Sequence, residues 1–349
     1  MSRMFYTTIL AAGMLAAGCA GEVNPEYTAP AKTEPAEIDR TAFAKGADIS
    51  WVTKMESEGI KFYNAAGEET ECTELMKQIG MNSVRFRVWV NPEEGWNGKG
   101  DVIAKALRAQ KLGMRIMIDF HYSDTWADPG SQTVPEAWKN YGIEELKNAV
   151  AEHTEDVLGA LKNCGVDVEW VQVGNETTDG MLWELGRSTK NPKNYAELTT
   201  AGYNAVKSVY PEAKVIVHLD GGDSYTKYNR IFNLMKSYGG KYDMIGMSLY
   251  PSYNESGWQT PVKSCIENIR KANSAYGCNV MICEVGMPWN EPETAKEMLS
   301  YLITNAKATG CCDGVFYWEP EAQPGYNNGY SLGAFADGKP TAALDPFGE

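Results

Sequence analysis

Eight short runs of β-branched and apolar residues alternate along the chain with longer segments whose apolar residues recur at helical spacing. The runs are FAKGADISWV (43–52), SVRFRVWV (83–90), RIMIDFHYS (115–123), VEWVQVGNE (168–176), KVIVHLDGG (214–222), MIGMSLYPSY (244–253), NVMICEVG (279–286) and GVFYWEP (314–320). Helices are expected between them at 69–79, 102–112, 143–163, 194–210, 225–238, 262–276 and 291–309. A glycine follows at 80, 113, 165, 239, 277 and 310, where a helix ends most easily. Such alternation implies parallel strands with crossover helices, and eight units close most naturally into a single (β/α)8 TIM barrel of the α/β class. An open doubly wound sheet is the competitor, but the first turn, SWVTKMESEG, lacks a G-x-G-x-x-G fingerprint. The Gly- and Pro-containing tail GYSLGAFADGKPTAALDPFGE predicts that the eighth unit ends in irregular chain.

Of the 349 residues 43% are hydrophobic and 22% charged, as in a folded globular chain. The net charge of −14 argues against nucleic acid as a partner, since a polyanion would be repelled. A neutral small molecule or polymer fits better.

The first residues, MSRMFYTTILAAGMLAAGCAGE, carry one Arg, an apolar run too short to span a bilayer, and small residues before Cys19. They resemble a bacterial lipoprotein signal: 1–18 removed, Cys19 lipidated, with Ala16 where Leu is commoner. A plain secretory signal with an incidental Cys is the alternative. Residues 19–40, rich in Pro and without period, read as a flexible tether, and 41–349 as the (β/α)8 domain. The expectation is an exported protein anchored to the outer membrane or cell surface, touching the membrane only through its lipid. The remaining cysteines, 72, 164, 265, 278, 283, 311 and 312, are odd in number and form no CxxC pair. With only three His in the chain, neither a metal site nor a cofactor is expected.

In a barrel of this kind the functional face lies at the C-terminal strand ends. The second run delivers Arg87 and Trp89 there, the third Asp119, His121 and Tyr122, the fourth Asn175 and Glu176. The later runs deliver Tyr250, Glu284, Trp318 and Glu319. Carboxylates from strands four and seven face each other across such a mouth, which suits glycoside hydrolysis with retention when they lie about 5–5.5 Å apart. Glu176 reads as acid/base and Glu284 as nucleophile. Asn175 then offers an amide to a sugar 2-OH, Arg87 a fixed charge that keeps a carboxylate ionised, Tyr250 a hydrogen bond to Glu284, and Trp318 a flat floor for a sugar ring.

The segments GNE, CEVG, VRFRVWV, DFHYSDTWADPGSQ, SLYPSY and FYWEPEA together resemble glycoside hydrolase family 53, the arabinogalactan endo-β-1,4-galactanases, from about Gly46 to Gly333. The resemblance implies endo-cleavage of β-1,4-galactan or arabinogalactan, the side chains of pectin, with retention. By position Glu176 matches the family's acid/base and Glu284 its nucleophile. Arg87, His121, Trp126, Asp128, Asn175, Tyr250 and Trp318 fall where the family lines its cleft. Some bacterial relatives carry calcium in a long loop after strand seven. Here that loop, EVGMPWNEPETAKE, lacks closely spaced Asp/Asn ligands, so no metal is carried over.

Plainer readings stand beside these. His121 can be a core histidine, and either Arg85 or Arg87 can simply pair with a helix carboxylate. Trp126 and Asp128 can merely pack their loop. Glu319 and Glu321, in EPE, read as a surface turn, and Trp51 and Trp89 as barrel packing. A mannanase or cellulase would share the Glu pair but not the strand-three block, and a surface lipoprotein could bind glycan without cutting it.

Overall fold

A computed structural model describes residues 38–253 and 257–349. The expected signal 1–18, the lipidation site Cys19 and most of the tether lie outside the described residues. Strands β1 (Ala44–Asp48), β2 (Ser83–Val88), β3 (Arg115–Phe120), β4 (Val168–Val173), β5 (Lys214–Leu219), β6 (Met244–Leu249), β7 (Val280–Val285) and β8 (Cys312–Trp318) pair in parallel, in chain order, and close into a barrel. Around it run α1 (Val52–Ser57), α2 (Cys72–Ile79), α3 (Lys99–Lys111), α4 (Ile143–Asn163), α5 (Pro192–Val209), α6 (Tyr225–Tyr238), α7 (Gln259–Tyr276) and α8 (Pro292–Lys307).

The first run divides where the sequence suggested one strand over 43–52. Asp48 accepts the Ser50 backbone N–H at 3.0 Å, and this side-chain turn ends β1 so that α1 can start at Val52. Helix α2 is capped by the Glu71 carboxylate, 2.9 Å from Glu74 N, and stops at Gly80, whose φ is 108°. A Cβ at Gly80 would meet Phe347 O at 2.7 Å, so glycine also lets the C-terminal 3-10 segment Ala342–Phe347 pack there. After β8 the chain is irregular, as expected: a helical turn at Tyr326–Gly329, a hairpin of β9 (Phe335–Ala336) and β10 (Lys339–Pro340), and then that 3-10 segment.

Inside the barrel, Ala44, Met117, Trp170, Ile216, Met244, Met281, Cys283 and Phe316 form an apolar plug. Gly46 makes room for it, since a Cβ there would lie 2.4 Å from the Phe316 ring. Truncating Trp170 or Phe316 to Ala would cost roughly 3–5 kcal/mol. Because side chains alternate along a strand, the next inward position lies two residues nearer the mouth. There the interior turns polar, with Asp48, Arg85, Asp119, Gln172, His218 and Ser248 all essentially inaccessible to solvent.

Candidate active site

Strand alternation alone would send Glu284 outward, because Cys283 before it belongs to the inner plug. The pairing of β7 slips on both sides at this point: Met247 faces Ile282 but Ser248 faces Glu284, and on the β8 side the ladder jumps from Ile282 to Val285. The irregularity re-aims Glu284 into the barrel mouth, as bulges commonly do at active sites. Its Oε1 lies 3.0 Å from Arg85 Nη2, and its Oε2 accepts the Tyr250 hydroxyl at 2.7 Å. Glu176 reaches the same mouth by another device. Gly174 and Glu176 both adopt positive φ, 87° and 46°, turning the chain sharply beyond β4. A non-glycine residue held there is strained, which is characteristic of functional positions.

Arg85 organises the floor beneath the two carboxyls. Its Nε donates to Gln172 Oε1 at 2.6 Å and its Nη1 to Asp48 Oδ2 at 2.6 Å. Its Nη2 serves Asp119 Oδ2 and Asn175 Oδ1, both at 2.9 Å, in addition to Glu284. Asn175 Nδ2 donates to Ala127 O at 2.7 Å, so its Oδ1 is the atom facing His218 Nδ1 at 3.0 Å. An amide oxygen only accepts, so Nδ1 carries the imidazole proton and Nε2 accepts from Ser248 Oγ at 2.8 Å. Burial, with Arg85 nearby, holds His218 well below the usual histidine range and therefore neutral. Ser248 also meets the Glu176 carboxyl.

Burial raises the pKa of both glutamates, but unequally. For Glu284, Arg85 and the Tyr250 hydroxyl oppose burial and leave the pKa at about 7. For half-buried Glu176, burial and then the charge of Glu284 push the carboxyl well above its ordinary value. A single proton between the two therefore resides on Glu176. Asp119 behaves in the opposite way: burial alone would raise it, but Arg85 and His121 hold it below the usual carboxylate range.

Toward the rim the site becomes aromatic. Trp51 packs edge-on against Trp126, Trp318, Tyr326 and Tyr330 with centroids 5.3–5.9 Å apart. Arg87 slides its guanidinium beneath Trp126, 4.5 Å from the ring centre. An anionic and a protonated carboxyl beside half-buried indoles is an arrangement for protonating and displacing at an acetal carbon on a ring that packs flat.

The sequence matches the pattern of Glycosyl hydrolase family 53 over residues 44–343. The chain belongs to glycosyl hydrolase family 53. Over 306 residues, 79% of this family 53 hydrolase and 83% of the relative, it is 34% identical to the probable arabinogalactan endo-beta-1,4-galactanase A of Aspergillus fumigatus. It is 33% identical over 299 residues to the arabinogalactan endo-beta-1,4-galactanase of Humicola insolens, covering 79% and 89% of the two chains. A solved fungal beta-1,4-galactanase superposes with a TM-score of 0.81 at 31% identity, covering 88% of this chain and 99% of that one.

The structure brings Glu176, Glu284, Asn175, Tyr250, Trp126 and Trp318 of this family 53 hydrolase to the mouth, and corrects several readings. Arg85, not Arg87, meets Glu284. The two arginines share a face of β2, but Arg87 sits one step nearer the rim and is drawn to Glu319 instead. His121 spends both nitrogens on the protein: Nε2 lies 3.0 Å from Asp119, while Nδ1 accepts from Trp89 Nε1 and Ala127 N, each at 3.1 Å. It braces the wall and leaves no ring nitrogen for a sugar. Asp128 uses Oδ1 to accept Gly130 N and Ser131 N at 2.7 and 3.0 Å, pinning its loop. Trp51 packs as expected, and half-buried Trp89 contributes the hydrogen bond to His121. Glu319 and Glu321 are wholly buried rather than on a surface turn. Among the described residues no group of three or more His, Cys, Asp or Glu could hold a metal ion. Arg85, Gln172, His218 and Ser248 are the members that sequence reasoning did not single out. Their signal was a polar residue at an inward position of an otherwise apolar strand.

Proposed function

We propose that this family 53 hydrolase cleaves β-1,4-galactosidic bonds within galactan and type I arabinogalactan, endo-fashion and with retention. The unequal environment of the two glutamates carries the reading. Glu284, beside Arg85 and Tyr250, is the carboxyl that ionises first, and Glu176 is the one that keeps a proton. In the first step Glu284 attacks the anomeric carbon while the Glu176 proton passes to the departing glycosidic oxygen. In the second, Glu176, now a carboxylate, takes a proton from water. That water breaks the glycosyl–Glu284 bond, which returns Glu284 to its anion and Glu176 to its acid. The second Nδ2 hydrogen of Asn175 is available to the sugar 2-OH, a contact that strengthens as the ring approaches an oxocarbenium ion. The family 53 relatives named as galactanases support β-1,4-galactan as the substrate class. Export, with residues 41–349 held at the cell surface by a lipid on Cys19, is part of the same proposal and rests on the N-terminal sequence.

The test is product analysis on linear β-1,4-galactan beside mannan, xylan and cellulose, with the anomer of the first-formed ends read by NMR. Short galacto-oligosaccharides from galactan alone, initially in the β form, are the expected result. Cleavage of mannan or cellulose in preference, or initial α-anomers, would overturn the specificity or the mechanism respectively.

A further inference from the structure

Directly beyond β8 the chain turns at Glu319, whose φ is 46°, and folds both Glu319 and Glu321 to complete burial. Glu319 is well supplied with donors: Arg87 Nη1 meets its Oε1, and the Trp51 backbone N–H lies 3.2 Å from its Oε2. Glu321 has none of this: neither carboxyl oxygen makes a hydrogen bond to an N–H or hydroxyl of another residue, and only its own backbone N–H lies near. As an anion it would be a buried charge without a partner, which is among the costliest arrangements a fold can hold. The one positive charge beside the pair, Arg87, is directed at Glu319 through Nη1, which also lies 3.7 Å from Asp48 Oδ1, while its Nε and Nη2 meet no acceptor and so do not reach Glu321. The other ionisable groups facing the pair are the Asp48 carboxyl, the Cys72 thiol of α2 and the hydroxyls of Tyr326 and Tyr330, and none of them supplies a cation. The two carboxyl groups do meet each other. Two carboxylates cannot hydrogen-bond without a proton between them.

We propose that Glu321 is a positioning residue of the substrate cleft: it is a carboxylic acid that donates its proton to Glu319, so that the pair carries one negative charge, matched to Arg87. Burial and the Glu319 charge both push Glu321 well above the ordinary carboxylate range, in agreement with this. Through its two oxygens Glu319 then fixes Arg87 beneath Trp126 and the backbone of Trp51 behind Trp126 and Trp318. The hydrogen bond from Glu321 sets the angle of the carboxylate that holds both. The protonated acid thus acts on the sugar-binding wall without touching sugar. That last step rests on the cleft being the galactan site; the protonation itself does not.

Two readouts separate these parts. Infrared difference spectra of wild type against Glu321→Gln at neutral pH should show the loss of a buried, protonated carboxylic C=O band. Loss of an ionised carboxylate band instead would overturn the proposal, whatever the substrate. On galactan, Glu321→Leu removes the donor at similar volume and is expected to raise KM roughly tenfold with a smaller fall in kcat. Glu321→Gln, whose amide still donates, should recover most of that KM. If both variants raise KM equally, or if kcat falls while KM stays fixed, Glu321 does not position the wall through its proton.

Discussion

Two arginines stand two residues apart on one face of β2, and their surroundings divide the site into a chemical layer and a recognition layer. Arg85 is ringed by Asp48, Asp119 and Glu284 and by the amides of Gln172 and Asn175. Arg87, one step nearer the mouth, has Glu319 as its close partner and lies against Trp51, Trp89 and Trp126. The deeper arginine lies beside the carboxyl proposed to ionise. The outer one lies against the indoles. A fixed charge that tunes a pKa must sit beside the titrating oxygen, whereas a charge that braces a wall needs only a counter-ion held out of the way. Disturbing the first should therefore register in kcat and its pH dependence, and disturbing the second in KM.

The largest effect is expected from the chemical layer. Glu284→Gln should lower kcat by roughly 10⁴-fold or more without loss of stability. The sign of the stability change follows from the raised pKa. Glu284 lies at 4.5 when unperturbed and about 7 here, so its contribution to stability is full below about 4.5 and is lost as pH rises through about 7. Thermal melts of Glu284→Gln at alkaline pH should equal or exceed wild type, while at pH 4 the difference should vanish. Next comes Arg85→Lys, which keeps the charge but not the fork. It should cost about 10²–10³-fold in kcat/KM and move the acid limb of the pH profile upward, because the Glu284 anion loses its partner. Arg87→Lys should leave that limb in place and raise KM. Equal shifts of the limb by the two substitutions would erase the distinction between the layers.

Smaller effects sharpen the recognition side. Trp126→Ala removes the ring that covers Arg87 and should raise KM for galactan roughly two- to tenfold, from about 0.5–1.5 kcal/mol of lost ring contact. Steady-state kinetics showing a fall in kcat alone would place Trp126 in the chemical layer instead. Asp128→Ala, which releases two backbone N–H groups in an exposed turn, should cost about 1 kcal/mol in loop order. Limited proteolysis near residues 128–131 should show it before kinetics do.

Much of this was legible in the sequence, and the limits have physical causes. The eight strands follow from their own composition, and α4 and α6 begin and end where the apolar spacing says. The end of β1 was misread because Asp48 folds back on Ser50, a local turn that an apolar run conceals. Glu176 and Glu284 were singled out because they lie near strand ends, but the reason Glu284 faces inward, a slip in the β7 ladder, has no mark in the residue pattern. Choosing Arg87 over Arg85 failed because alternation assigns a face and not a depth. His218 and Ser248 were passed over because each is an isolated polar residue among apolar ones, and only the pairing of β4, β5 and β6 brings them to Asn175 and to each other. The burial of Glu319 and Glu321 was hidden by a proline-broken run that resembles a surface turn.

The central claim is that Glu284 is the nucleophile because Arg85 and Tyr250 favour its anion, while Glu176 retains the proton. It is tested most directly by trapping the glycosyl-enzyme with a 2-deoxy-2-fluoro-galactoside bearing a good leaving group and locating the label by peptide mass spectrometry. The account expects one sugar per chain, attached to Glu284, and slower labelling in Arg85→Lys. A label on Glu176, or turnover with no covalent adduct, would contradict it.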